Sequence, residues 1–383
     1  MNSTRIRSLL QQETTVKKTI LVTAALAAMG SSAFAQSSVT IYGIVDVAVR
    51  HTSNEQSKGQ PEAGMWREIG GGMSQSRLGI NTVEDLGGGM KALVNLEHRL
   101  LPDNGTQPAA QFWQQSWVGL QTGFGRVTLG RQYNVLFDVV TSTYASYPYS
   151  PYFEAYKPEI GFAVGARADN MVKYLIEVGP VRAALQVSAG EGSPTGGKTV
   201  GGYLRYSDSG IGAGVGYEEY EFASEKKLKA TTFGASYKTG PWYFNVGWGE
   251  NKVDAGLTAT DRLALGAFWT GGANGGFGGP AFQAADKRQI WTIGTNFQAT
   301  TELNLGIHYF RAKQSGPAAV VSPDATAKFV TAAADYALSK RTDAYVEADT
   351  TKLSGNISLN GAGGATNDAQ KRNGFTIGLR HRF

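Results

Sequence analysis

The sequence contains no recognisable motif for a catalytic nucleophile or a metal site. Its candidate functional residues are therefore charged side chains. The chain of 383 residues contains no cysteine, which excludes disulfides, thiolate metal sites and cysteine nucleophiles. Its four histidines are scattered and show no HxxxH or HExxH spacing: His51, His98, His308 and His381. No GxSxG motif occurs, and the glycine-rich residues 271–280 lack the Lys-Ser/Thr of a phosphate-binding loop. The sequence therefore predicts no catalytic constellation, no metal site and no cofactor.

One stretch, residues 133–167, differs from the rest of the chain because it lacks any regular alternation of apolar and polar residues. It holds three of the 12 prolines and five tyrosines between positions 144 and 156. A segment of this length without a strand is usually either disordered or functional. Its aromatic content argues against disorder. We therefore expect this stretch to fold into the structure formed by the rest of the chain and to narrow it.

The segments on both sides of this stretch have the two-residue period of β-strands. Residues 39–50 (VTIYGIVDVAVR) place four valines and an isoleucine on one face, and residues 372–383 alternate in the same way. We count sixteen such segments, including one over residues 65–80. Short turns alternate with longer polar or glycine-rich connections along the chain.

This pattern predicts an all-β protein, a 16-stranded antiparallel transmembrane β-barrel. An even number of strands, with short turns at one end and long loops at the other, is typical of outer-membrane barrels. A closed barrel pairs every backbone group and leaves no sheet edge in lipid. No run approaches 18 apolar residues, so a transmembrane helix is not expected. A soluble β-sandwich is the alternative, because its strands also alternate between apolar and polar residues.

The first 35 residues have the features of a cleaved signal peptide. Lys17 and Lys18 precede an apolar run, and small residues follow, ending Ala33-Phe34-Ala35. Cleavage after Ala35 leaves residues 36–383 as the barrel. The segment contains four basic residues and one acidic residue, so it accounts for three of the five net positive charges and +2 remains. That charge does not support nucleic acid as a partner.

Several motifs, taken together and in this order, resemble those of the Gram-negative general diffusion porins, specifically the beta-proteobacterial and neisserial-like trimeric type. They are residues 38–43 (SVTIYG), 76–80 (SRLGI), 84–89 (EDLGGG), 117–120 (WVGL), 123–125 (GFG), 129–132 (LGRQ) and 378–383 (GLRHRF). The resemblance spans the mature chain. It implies a homotrimer of 16-stranded barrels, each with an inward-folded third external loop that forms a constriction. Residues 133–167 occupy the position of that constriction loop.

The resemblance also implies a row of basic residues on the barrel wall opposite the loop. Arg77 matches the basic residue of the SRLG motif, Arg131 that of the GRQ motif, and Arg167 the arginine before the next strand. Gln114 stands where the family often has a further arginine. This departure predicts a weaker positive field at the wall.

The charges of this site predict its selectivity. Arginines lining a narrow pore favour anions, and carboxylates favour cations. Asp138, Glu154 and Glu159 are the candidate carboxylates on the constriction loop. By strand parity Arg50 and Arg99 also face the lumen, but we expect them to lie away from its narrowest level.

We therefore expect an outer-membrane pore for passive diffusion of small hydrophilic solutes and ions, with a weak preference for anions and no enzyme activity. The alternatives are a substrate-selective anion channel and an outer-membrane barrel enzyme. The expected partners are further copies of the chain, outer-membrane lipid, lipopolysaccharide, and the barrel-assembly machinery through Phe383. The implied location is the outer membrane of a Gram-negative bacterium, which the chain crosses many times.

Overall fold

The structure is a computed structural model that describes residues 37–108, 110–145, 165–191, 197–269, 277–278, 285–317, 322–359 and 367–383. The predicted signal peptide, residues 1–35, lies outside the described residues.

Nearly all of the described chain is antiparallel β-sheet, as the sequence predicted. The strands are β1 Ser38–Thr52, β2 Met65–Gly70, β3 Arg77–Gly87, β4 Met90–Arg99, β5 Trp113–Thr122, β6 Gly125–Tyr133, β7 Arg167–Val178, β8 Val181–Ser188, β9 Lys198–Asp208, β10 Ile211–Glu221, β11 Lys227–Thr239, β12 Trp242–Val253, β13 Phe277–Gly278, β14 Lys287–Gln298, β15 Leu303–Ser315, β16 Ala325–Ala337, β17 Thr342–Gly355, β18 Ser358–Leu359 and β19 Lys371–Arg382.

These strands form a closed barrel. From β3 onward each strand of the large sheet pairs with the next strand of that sheet along the chain, and β1 pairs with β19, for example Val47 opposite Leu379. β2 and β3 both pair with β1 and are two parts of one traverse of the wall. The short strands β13 and β18 pair only with each other. The described wall therefore contains sixteen strands, which confirms the predicted fold class.

The sheet has an apolar outer face and an opposite polar face. On β8, Leu185 and Val187 are exposed, whereas Gln186 and Ser188 between and beyond them are buried. The same alternation recurs on β10, where Val215 is exposed and Glu218 is buried. Apolar side chains facing outward and polar ones inward are the pattern expected of a barrel in lipid.

The second traverse differs from its prediction, because residues 65–80 do not form one strand. Residues 71–76 leave the sheet between β2 and β3, so their N–H groups need other acceptors. The buried Asp46 carboxylate supplies them, accepting bonds from the N–H groups of Gly72 (3.2 Å), Met73 (3.1 Å) and Ser74 (2.6 Å). Tyr345 also donates to Asp46 and packs against Met73. This local network could not be recognised from the period-two pattern.

Two helices occur in the described long connections. Helix α1, Val135–Thr143, lies in the third of them, and helix α2, Ala259–Trp269, lies between β12 and β14. Asp261 fixes the start of α2, accepting hydrogen bonds from the hydroxyls of Ser224 and Thr258, each at 2.7 Å. Neither helix is long and apolar enough to cross a membrane. An apolar cluster joins α2 to strand ends through Leu265, Leu228 and Leu353, and it includes Leu136 of α1.

Candidate functional site

Helix α1 begins immediately after β6, at the start of the stretch that lacked alternation. Asn134 caps it by accepting a hydrogen bond from the N–H of Phe137 at 2.8 Å. The apolar residues Val135, Leu136, Val139 and Val140 follow at helical spacing and are buried. Sequence analysis did not identify this helix, although the Asn cap and the apolar spacing were readable signals.

The buried side of α1 lies against the polar face of β8 to β11, where glycines make room for it. A Cβ atom on Gly214 would stand 2.6 Å from Val139, and one on Gly216 would stand 3.0 Å from Leu136. Past the end of the helix, a Cβ atom on Gly234 would stand 2.5 Å from the ring of Tyr144. Ordinary carbon contacts are about 3.5–4.0 Å, so the helix approaches the sheet as closely as glycine permits.

Polar contacts hold the start of α1 in place. Lys173 of β7 donates to the Tyr133 carbonyl (2.8 Å) and to Asp138 Oδ2 (2.6 Å). The N–H of Val135 donates to Gln186 at 2.7 Å. Asp138, predicted as a loop carboxylate, is therefore paired with a lysine that sequence analysis missed. Strand parity on β7 would have placed Lys173 on the polar face.

Three arginines meet around the Tyr133 hydroxyl and a buried glutamate. Arg99 donates to the Tyr133 hydroxyl (2.6 Å), and Arg167 donates to the same oxygen (2.8 Å) while its guanidinium lies 4.4 Å from the ring centre. Arg77 stands directly opposite Arg99 across β3 and β4. The structure thus joins the predicted Arg77 and Arg167 to Arg99, which had been expected to lie away from the site.

The buried glutamate, Glu97, offsets part of this positive charge. Its Oε1 accepts a bond from Arg99 Nε at 2.9 Å, and its Oε2 lies 3.8 Å from Arg77 and accepts from the Tyr42 hydroxyl at 3.1 Å. Within this cluster three guanidinium groups therefore face one carboxylate. The cluster carries a net positive charge that is smaller than the arginines alone would give.

The other two predicted wall residues are not brought to this cluster by the described contacts. Arg131 pairs with Asp169 at 2.5 Å, at a point where the register of β6 and β7 shifts. Arg131 is two residues after the exposed Leu129 and therefore has the parity of the outer face rather than that of the buried Thr128 and Gln132. Gln114 is buried and donates to the carbonyl of Gln111 at 2.8 Å.

Glu154 and Glu159, the other predicted loop carboxylates, lie outside the described residues. Across the described ranges, no group of three or more His, Asp or Glu side chains is arranged to hold a metal ion.

A closed antiparallel barrel with an apolar exterior and a charged interior is the architecture of a channel in an outer membrane. The sequence profile of the Gram-negative porin family matches residues 22–356, and the chain belongs to this family. The resemblance found in the sequence is thereby confirmed. The protein is an outer-membrane channel for passive diffusion, and its family points to a channel rather than an enzyme.

Similar proteins agree with this assignment. The chain is 32% identical over 266 residues to outer membrane porin protein 32 of Delftia acidovorans, an alignment covering 67% of each chain. An anion-selective porin from Comamonas acidovorans superposes with a TM-score of 0.70 at 24% identity, covering 91% of this chain and 100% of that one. The trimer form of OmpT from Vibrio cholerae superposes with a TM-score of 0.62 at 14% identity, covering 91% and 99%.

Proposed function

We propose that the channel prefers anions weakly and that the arginine cluster of Arg77, Arg99 and Arg167 sets this preference. The observation that carries the proposal is that Arg99 and Arg167 both bind the Tyr133 hydroxyl, while Arg99 and Arg77 both face a single carboxylate, Glu97. Charges that line a low-dielectric passage focus the field there. Because Glu97 offsets part of the charge, the preference is weak rather than strong.

We further propose that the third long connection, residues 133–167, folds into the barrel and constricts the pore. Support comes from α1, which lies on the polar face of β8 to β11, the face opposite the exposed residues. In this arrangement Tyr133 links the loop to the arginine cluster. Asp138 contributes little free negative charge, because Lys173 pairs with it. Glu154 and Glu159 are the remaining loop carboxylates that act against the arginines.

Gln114 and Arg131 have lesser roles in this proposal. Gln114 adds no charge to the wall. Arg131 anchors the exit of the loop through its ion pair with Asp169. It therefore serves as a matched control for the arginines of the cluster.

Single-channel recording in planar bilayers tests the proposal. Wild-type protein should form pores whose chloride current exceeds its potassium current. Arg99→Gln and Arg167→Gln should each lower the ratio of chloride to potassium permeability, whereas Arg131→Gln should leave it nearly unchanged. An equal fall in all three variants would contradict the assignment of the cluster, and absence of any conductance would contradict the channel itself.

We also propose that the mature protein starts at Gln36, that it forms a homotrimer, and that the assembly machinery recognises Phe383. The OmpT trimer supports the second point by its fold. In the closed barrel Phe383 exchanges backbone hydrogen bonds with Gly43, at 3.0 and 3.1 Å. Recognition through the backbone of Phe383 would therefore have to precede closure of β19 on β1. Intact mass of the purified protein, with and without denaturation, tests the first two points, and assembly of a Phe383→Ser variant tests the third.

A further inference from the structure

One sector of the inner barrel wall is apolar, although the lumen of an outer-membrane barrel is generally polar. The residues concerned lie at the ends of β11, β12, β16 and β17 that lead into the long connections, and they have the parity of the buried residues on each strand. They are Leu228, Ala230, Val253, Ala325, Ala327 and Leu353. A water-filled lumen would expose these side chains, but even the most exposed of them, Leu353, is only 7% exposed. An element inside the barrel therefore covers them.

Helix α2 covers this apolar sector. Leu265 of α2 is fully buried, Ala264 is nearly so, and both belong to the same apolar cluster as the wall residues. Ile357 and Leu359, which follow β17, complete the cover. Side chains of inward parity can be reached only from inside the barrel. The apolar side of α2 therefore lies within the mouth of the channel rather than on the outside of its rim.

Contacts with the rim hold α2 in this position. Asp261 accepts a hydrogen bond from the hydroxyl of Ser224, between β10 and β11, at 2.7 Å. Arg262 donates to the carbonyl of Ala285 at 3.1 Å and pairs with Asp286, just before β14, at 2.5 Å. The short strands β13 and β18 join the connection after β12 to the connection after β17. Since neighbouring strands are about 4.8 Å apart, this pair bridges roughly 19 Å of wall.

The other sector of the mouth contains the arginine cluster. Among the described residues, no residue of β1 to β9 belongs to the apolar cluster under α2. Arg77, Arg99 and Arg167 lie on β3, β4 and β7, away from it. Leu136 of α1 packs in the same cluster as Leu265, so the two helices occupy the same side of the lumen. A solute that enters the mouth is therefore directed to the polar side, past the arginines.

We propose that α2 is an internal plug that sets the size limit of the channel, and that Leu265 is the residue that holds the plug against the wall. Leu265 is a positioning residue, because its buried side chain offers a passing solute neither a charge nor a hydrogen bond. Release of α2 widens the passage and admits larger solutes. This role goes beyond the proposed preference for anions and does not depend on it, since it applies equally to uncharged solutes.

The test measures entry of neutral sugars into liposomes that contain the full-length protein. Glucose, sucrose and raffinose serve as probes of increasing size, and liposome swelling reports their rates of entry. Leu265→Asp places a carboxylate in the apolar cluster and should expel α2. Asp261→Ala loosens the start of α2 without adding a charge to the cluster, so it decides the question if Leu265→Asp does not form a barrel. Leu338→Asp is the matched control, because it makes the same chemical change at an exposed position in a short turn.

We expect both α2 variants to raise the entry rate of raffinose relative to that of glucose at least about twofold, because pore diameter decides which neutral solutes pass. The ratio for Leu338→Asp should remain that of the wild type. Hydrogen exchange of residues 259–269 should become faster in both α2 variants, while exchange in β14 to β17 stays slow and shows that the barrel is intact.

Two results would overturn the proposal. Fast exchange in α2 with an unchanged ratio of sugar entry rates would show that α2 does not obstruct the channel. Slow exchange in α2 of a folded Leu265→Asp variant would show that the apolar cluster does not hold the helix. Because the sugars are uncharged, a failure of the proposed anion preference would leave both readouts unaffected.

Discussion

Replacing Gly214 by alanine tests how closely helix α1 is seated on the sheet. The added Cβ would stand 2.6 Å from Val139 Cγ2 and 3.3 Å from Thr143 Oγ1. Since the strand is fixed by its ladder, the helix must move by about 1 Å to restore an ordinary contact. Overpacking of this kind costs about 1–3 kcal/mol. We therefore expect a lower free energy of unfolding and, because the helix moves away from the wall, a smaller single-channel conductance.

A double-mutant cycle separates this clash from a general effect of the substitution. Val139→Ala removes the Cγ2 atom that the new Cβ would meet, so the two changes should couple by about 0.5–3 kcal/mol in the favourable direction. Gly123→Ala is the matched control, since a Cβ there meets nothing within 4 Å. Unfolding in detergent, followed by tryptophan fluorescence, measures stability, and bilayer recording measures conductance. If Gly214→Ala behaves like Gly123→Ala, or if the coupling is absent, α1 is not seated as described.

Three further predictions concern other charged groups. Lys173→Met removes two hydrogen bonds and leaves Asp138 unpaired. Anion preference should therefore fall in reversal-potential measurements, and the free energy of unfolding should fall by about 1.5–3 kcal/mol. Unchanged selectivity would contradict the ion pair. Asp46→Asn weakens the acceptor for three N–H groups of residues 71–76, and denaturant unfolding should show a loss of about 1–3 kcal/mol. Burial raises the pKa of Asp261, but its hydrogen bonds outweigh burial and hold that pKa below the usual value. The stabilisation that Asp261 gives the start of α2 is fully present above the ordinary pKa of about 3.9. It is lost as the pH falls through the lower pKa that Asp261 has in the folded protein. Hydrogen exchange in α2 should therefore increase only below about pH 4.

The fold was largely predictable because a barrel in lipid imposes one rule on every strand. Alternation between an apolar and a polar face located the strands, and the lengths of their connections indicated the two ends. The interruption at residues 71–76 was not predictable in this way. It depends on Asp46 of β1 and Tyr345 of β17, which are far away in the sequence and meet only after the barrel closes.

The candidate site was predictable only in part, because its contacts depend on register as well as parity. Arg77 and Arg167 were identified from motifs. Arg99 was known to face the lumen, but only the pairing of β3 with β4 places it opposite Arg77. Arg131 shows the reverse, since its motif suggested the wall of the pore, whereas its parity is that of the exposed Val127 and Leu129. A two-residue period also cannot reveal the register shift between β6 and β7 that lies beside it.

The most direct test of the arginine cluster is the reversal potential of wild-type channels in a tenfold gradient of potassium chloride. We expect a reversal potential whose sign indicates chloride selectivity and whose size is well below the ~59 mV of a perfectly selective pore, because Glu97 offsets part of the charge of the arginine cluster. Replacing Arg77, Arg99 and Arg167 together by glutamine should bring the potential to zero or reverse its sign. A wild-type reversal potential whose sign indicates potassium selectivity would show that carboxylates dominate the constriction and would contradict the proposed role of the arginine cluster.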